Sequence, residues 1–250
     1  MIFPFLDEPP LAFAHRGGAA EGDENTAQAF ARSVRAGYRF VETDVHATRD
    51  GVAVVLHDAT LDRVTGARTA PVAARSYAEL ASFRVAGHAP IPRLDEVLDA
   101  WPQIKFNIDV KSGGAVGPTA EAVARCRAED RVLLASFSDT RIRRLRALTQ
   151  GKVATSMAQR EVARLWLASR LGLPMRTAEC VVAAQIPRRL ARPRLINHAH
   201  RLGLQVHVWT VDDPGEMAGL LDLGVDGIMT DRIEVLREVF IRRGLWKESQ

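Results

Sequence analysis

The 250-residue chain reads as an α/β protein: a (β/α)8 TIM barrel with a small insertion after the second strand. Three observations carry that expectation. Eight short apolar, β-branched runs alternate with eight helix-like patterns from end to end, as parallel strands joined by crossover helices require. The length, about 250 residues, is the length such a barrel takes. Polar side chains also gather at the carboxyl ends of the runs, where these barrels carry their chemistry. A doubly wound open sheet shares the alternation and is the competing arrangement.

Taken in order, the strands are expected at residues 11–14, 40–45, 104–110, 132–136, 153–156, 180–184, 205–210 and 227–230. Each is short, rich in Val, Ile, Leu or Phe, and bounded by turn residues. Helical spacing of apolar residues marks 26–36, 94–100, 120–127, 140–148, 160–171, 194–202, 214–223 and 234–243. Asp213 before Pro214, with Glu216 following, predicts a capped helix start. Asn25 is the expected cap of the first helix and Asp23 a helix-start carboxylate. Residues 51–92 break the repeat. They hold one short strand (52–56) and then Gly, Pro and polar residues, which predicts an insertion over one barrel mouth. No Gly-, Pro- or Ser-rich linker divides the chain, so residues 1–250 are expected to form one domain.

Composition narrows the class. With 47% hydrophobic and 26% charged residues the chain can bury a core, and no apolar run reaches the ~18 residues of a membrane span. Two cysteines, Cys126 and Cys180, are too few for a disulfide framework. The amino terminus shows no secretory pattern, so a cytoplasmic location is the expectation. Nothing in the sequence specifies an oligomeric state. The net charge of +4 is uneven: residues 141–201 carry 14 Lys+Arg against 2 Asp+Glu. Without interleaved aromatics this charge is read as solvated surface rather than a nucleic-acid platform. No exposed apolar anchor for a membrane is legible beside it.

The strand ends supply the chemistry. Alternation puts Glu42 and Asp44 on one strand face, and Asn107, Asp109 and Lys111 on one face of another. If both faces look into the barrel mouth, three carboxylates converge. Three hard oxygen donors suit Mg2+ or Ca2+, with Mn2+ admissible; the competing role is pairing with Arg or Lys. His15 and His57 are the acid/base candidates, because imidazole titrates near neutral pH. Arg16 and Lys111 can hold a phosphoryl group. His88, His198 and His200 are read as structural, while His46 and His207 stay open between site and core.

His15-Arg16-Gly17, Glu24-Asn25-Thr26, Glu42-Thr43-Asp44 and His57-Asp58 resemble, in order and spacing, the glycerophosphodiester phosphodiesterase family. The resemblance continues through Asn107-Ile108-Asp109-Val110-Lys111, Ser136-Phe137-Ser138, Val208-Trp209-Thr210-Val211 and the stretch 224–232, covering residues 11 to about 240. It implies a divalent cation and hydrolysis of a small glycerophosphodiester to sn-glycerol 3-phosphate and an alcohol. By position it makes His15 and His57 the catalytic pair, Glu42, Asp44 and Asp109 the metal ligands, and Arg16, Lys111 and Trp209 the substrate contacts. A glycerol hydroxyl would attack phosphorus first, giving a cyclic phosphate that water opens. Three positions depart from the family: Asp109 stands where Glu is common, Asp23 where Pro precedes Glu24, and Ile233 where Pro follows Arg232.

Two other functions share these residues. One is a lysophospholipase D or phosphatidylinositol phospholipase C-like enzyme acting on membrane lipids; the other is a phosphodiester-binding scaffold without turnover. The choice of alcohol is expected to rest on residues 58–92 and on later loops including Gln185-Ile186-Pro187.

Overall fold

The computed structural model describes residues 3–66, 68 and 70–247. Eight parallel strands close on themselves: β1 (Leu11–Ala14), β2 (Phe40–Ala47), β4 (Lys105–Val110), β5 (Val132–Ala135), β6 (Ala154–Ser156), β7 (Val181–Pro187), β8 (Gln205–Trp209) and β9 (Gly227–Thr230). β1 pairs in parallel with both β9 and β2, so the sheet has no gap at that point and the open arrangement is excluded. A ninth strand, β3 (Ala53–Val55), lies antiparallel on β2. Helices α1 (Ala27–Arg35), α4 (Leu94–Ala100), α5 (Val116–Arg125), α6 (Asp139–Leu148), α7 (Gln159–Leu171), α8 (Pro193–Arg201), α9 (Pro214–Asp222) and α10 (Ile233–Arg242) follow the strands.

Alternation along the strands divides the core in two. Val41, Val45, Phe106, Ile108, Val110, Leu134 and Val208 face outward and pack under the helices. Leu11, Phe13, Phe40, Leu133, Ala154, Cys180 and Met229 face inward and fill the barrel. Each fully buried side chain of this size contributes about 1.5–3 kcal/mol. Phe3 and Phe5, on the segment before β1, join the interior cluster. Phe5 packs edge-on against Phe40 at 5.6 Å, and Lys105 Nζ donates to the Pro4 carbonyl at 2.6 Å. The segment plugs the amino-terminal end of the barrel, which leaves the carboxyl end for the site.

The insertion carries its own small core, with Val54, Leu56, Leu61, Val64, Val72, Leu80 and Ile91 packed together. Two short helices, α2 (Asp62–Thr65) and α3 (Tyr77–Leu80), belong to it. Three local expectations change. α5 begins at Val116 rather than Ala120, because Gly117 and Pro118 fall in its first turn, where the N–H that proline lacks would have had no intrahelical acceptor. β7 runs on to Pro187, since Gln185 and Pro187 stay in register with His207 and Trp209. α1 is capped by Thr26, whose hydroxyl accepts from the Ala29 N–H, and not by Asn25.

Candidate active site

Asn25 does other work: its φ of +58° points the side-chain amide at Asp44 Oδ2 (2.9 Å) while its oxygen accepts from Thr43 Oγ1 (2.8 Å). Asp23 is likewise not a helix-start carboxylate. It grips Arg32 through both oxygens at 2.6 and 2.9 Å, which holds its carboxyl below the usual range. These contacts fix the loop after β1. Gly17 is required there, because a Cβ at its φ of +80° would meet Phe30 at 2.7 Å.

The same loop presents His15 and Arg16. His15 Nδ1 donates to Asp231 Oδ1 at 2.6 Å, and its Nε2 lies 3.7 Å from Glu42 Oε2. Burial alone would lower the His15 pKa, but Glu42 and Asp231 outweigh it and the pKa is raised. The Arg16 backbone N–H donates to Glu42 at 3.1 Å, and its guanidinium reaches Glu24 at 3.0 Å and Asp44 at 3.3 Å. His57, from the insertion, mirrors His15: its Nδ1 donates to Asp58 Oδ1 at 2.6 Å. Arg63 then joins Asp58 to Glu24. His46 Nε2 donates to the His57 carbonyl at 3.1 Å, so the open question about His46 resolves to support of His57.

Register brings the acids together. Glu42 stands beside Asn107 and Asp44 beside Asp109 across the β2–β4 ladder. Lys111 Nζ sits between Asp44 (2.8 Å) and Asp109 (2.7 Å). Burial and the neighbouring Asp44 charge push the Glu42 carboxyl up to about 7. Burial raises Asp109 as well, whereas Asp44, equally buried, is held low by Lys111 and Arg16. Asp109 Oδ1 and Asn107 Oδ1 are buried without a hydrogen-bond partner. Among the described residues no three His, Cys, Asp or Glu are gathered closely enough to hold a metal ion.

A cavity of about 510 Å³ joins these groups: His15, Arg16, Glu42, Asp44, His57, Asp109, Lys111 and Trp209 all line it. All eight residues singled out in the sequence therefore meet in one place. Trp209 packs edge-on against Phe137 at 5.5 Å, and Lys111 Nζ lies 5.9 Å over the Phe137 ring. The far wall is apolar, with Met157, Val162, Trp166 and Leu190, and Gln185 and Pro187 also contribute. Among the described residues none from 58–92 lines the cavity. His207 lies outside it, its ring tilted against Phe13 in the interior at 4.9 Å, and burial lowers its pKa to about 3. His200 pairs with Asp226 at 2.7 Å on the outer surface of the barrel.

Residues 15–235 match the model of the glycerophosphoryl diester phosphodiesterase family. The chain belongs to this family. It is thereby an enzyme, a phosphoric diester hydrolase. It is 41% identical over 249 residues to a probable glycerophosphodiester phosphodiesterase 2 of Mycobacterium tuberculosis, covering 94% of this chain and 92% of that one. A lysophospholipase D of Rattus norvegicus is 28% identical over 267 residues, covering 90% and 84%. The fold matches a putative glycerophosphoryl diester phosphodiesterase from Silicibacter pomeroyi with a TM-score of 0.82 at 24% identity, over 98% and 100% of the two chains. An Oleispira antarctica phosphodiesterase, solved with its product sn-glycerol 3-phosphate, matches with a TM-score of 0.79 at 20% identity, over 93% and 97%.

Asp231, Asp58, Glu24 and Asn25 do not line the cavity but bond His15, His57, Arg16 and Asp44, which do, and the motifs alone carry no sign of that support. Asp58 adjoins His57, and Asp231 directly follows the last strand. That placement is the signal by which both could have been found.

Proposed function

We propose that the protein hydrolyses glycerophosphodiesters to sn-glycerol 3-phosphate and an alcohol, with His15 and His57 as the acid/base pair. The observation that carries this is the presence in one cavity of two histidines, each giving its Nδ1–H to an aspartate. That arrangement leaves both Nε2 atoms to exchange protons. Arg16 and Lys111 supply positive charge for the phosphoryl oxygens. A glycerol hydroxyl forms the new P–O bond while one imidazole takes its proton. The other imidazole protonates the alcohol oxygen as its bond to phosphorus breaks. Water then opens the cyclic phosphate with the proton transfers reversed. Trp209 packs against the glycerol end.

By chemistry a hard divalent cation, Mg2+ or Ca2+, would be held by Glu42, Asp44 and Asp109, which would have to draw closer on binding it than they stand around Lys111. Three buried carboxylates, with Asp109 Oδ1 unpaired, are an excess of hard oxygen donors. Lys111 supplies the counter-charge between Asp44 and Asp109. When bound, such a cation would neutralise phosphoryl charge.

The test is a metal-by-substrate assay on purified protein. Glycerophosphocholine should yield sn-glycerol 3-phosphate, chelation should abolish the reaction, and Mg2+ or Ca2+ should restore it. His15→Ala should lose at least about 10²-fold in kcat, and full activity of that variant would remove the assignment. The apolar wall of Met157, Val162, Trp166 and Leu190 favours a second reading, in which lysolipids are also hydrolysed. Parallel turnover of a lysolipid decides it.

A further inference from the structure

The basic segment 141–201 is not featureless surface. On α7 the buried residues Leu165 and Ala168 define the inner face. At 100° per residue, Val162 and Trp166 fall on the flank that lines the cavity. Leu167 and Leu171 continue round to the outer face. The latter are 48% and 61% exposed, Trp166 is 38% exposed, and Leu173 just beyond the helix is 47% exposed. Phe137, 52% exposed, adjoins the start of the same helix through its carbonyl, which accepts from the Gln159 N–H. Four large apolar side chains on one helix and its exit form a patch that a solvated face does not need.

Charge surrounds this patch on the same elements. Arg160, Arg164, Arg170 and Arg176 are all exposed. Among the described residues none of the four has a carboxylate within salt-bridge distance, whereas Arg146 in the same segment is held by Glu161. Arg170 lies over the Trp166 ring at 4.8 Å.

We propose that α7 is a peripheral docking face for an anionic membrane surface. Leu167, Leu171 and Leu173 enter the interfacial layer, and the unpaired arginines meet lipid phosphates. Trp166, Leu167 and Leu171 share one exposed arc of the helix with Arg160, Arg164 and Arg170, so apolar and cationic groups would reach the interfacial layer together, without the helix crossing it. Charge decides the occupant. A second copy would bring the same unpaired arginines face to face, and nucleic acid would leave the leucines without a partner. The cavity, sharing Val162 and Trp166 with this helix, opens beside the docked face. Docking requires no catalytic step and is independent of the assigned chemistry.

The experiment is co-sedimentation of the full chain with vesicles of phosphatidylcholine alone and of phosphatidylcholine mixed with phosphatidylglycerol. The protein should bind the mixed vesicles, bind them less as salt rises, and leave pure phosphatidylcholine in solution. Leu167→Ser/Leu171→Ser and, separately, Arg164→Gln/Arg170→Gln should each weaken binding at least about tenfold. Both should keep the parent circular dichroism and turnover of soluble glycerophosphocholine. The proposal is overturned by no sedimentation with anionic vesicles or by equal binding of the variants. It is also overturned if the leucine variant instead dissolves a dimer of the parent, or if duplex DNA is bound more tightly than the vesicles.

Discussion

His15 shows how one contact sets a residue's chemistry. Asp231 holds its Nδ1–H at 2.6 Å, so the imidazole is oriented by a carboxylate that is not part of the cavity lining. Asp231→Asn is expected to lower kcat by about 10²–10⁴-fold with little change in KM, read by steady-state release of sn-glycerol 3-phosphate. Asp23 is the stability counterpart. Its carboxyl is depressed by Arg32, so its contribution is fully present above the unfolded value, near 3.8, and is lost as the pH falls through the lower folded value. Asp23→Asn should cost about 1–3 kcal/mol in urea unfolding at neutral pH. The gap between variant and parent should close in strong acid.

Strands and helices place these residues, and the placement depends on close approaches. Gly227 on β9 lies against the interior rings: a Cβ there would meet His207 at 2.8 Å and Phe13 at 2.9 Å. Gly227→Ala should therefore destabilise by about 1–3 kcal/mol through overpacking, measured by thermal or urea unfolding. Most elements were legible in the sequence because apolar periodicity survives in short runs. The misses have local causes. The α5 start was hidden by Gly117-Pro118, which break a helix interior but not a first turn. The end of β7 was hidden by Gln185, polar because it faces the cavity rather than solvent. Thr26 rather than Asn25 caps α1 because Asn25 is drawn to Asp44 by a contact 19 residues away in the chain.

At the scale of the whole molecule the barrel carries a plug at one end and the cavity at the other. Phe5, fully buried against Phe40, belongs to that plug. Phe5→Ala should cost about 3–5 kcal/mol in urea unfolding, with the KM of the folded enzyme unchanged, because the cavity lies at the opposite end. The eight residues expected at the site were legible because strand ends and side-chain alternation obey local rules. From the sequence alone came the barrel, its order of elements, and the His, Glu, Asp, Arg and Lys set at the strand ends. Tertiary structure alone decided that the sheet closes, that His207 is a neutral core residue while His46 supports His57, and that Asp231 reaches His15 across 216 positions. It also decided that the apolar wall comes from α7 and the end of β7 and not from the insertion. The reason is physical: periodicity and turn chemistry act between near neighbours, whereas burial, register and ion pairing join residues whose separation in the chain has no bearing on their distance in space.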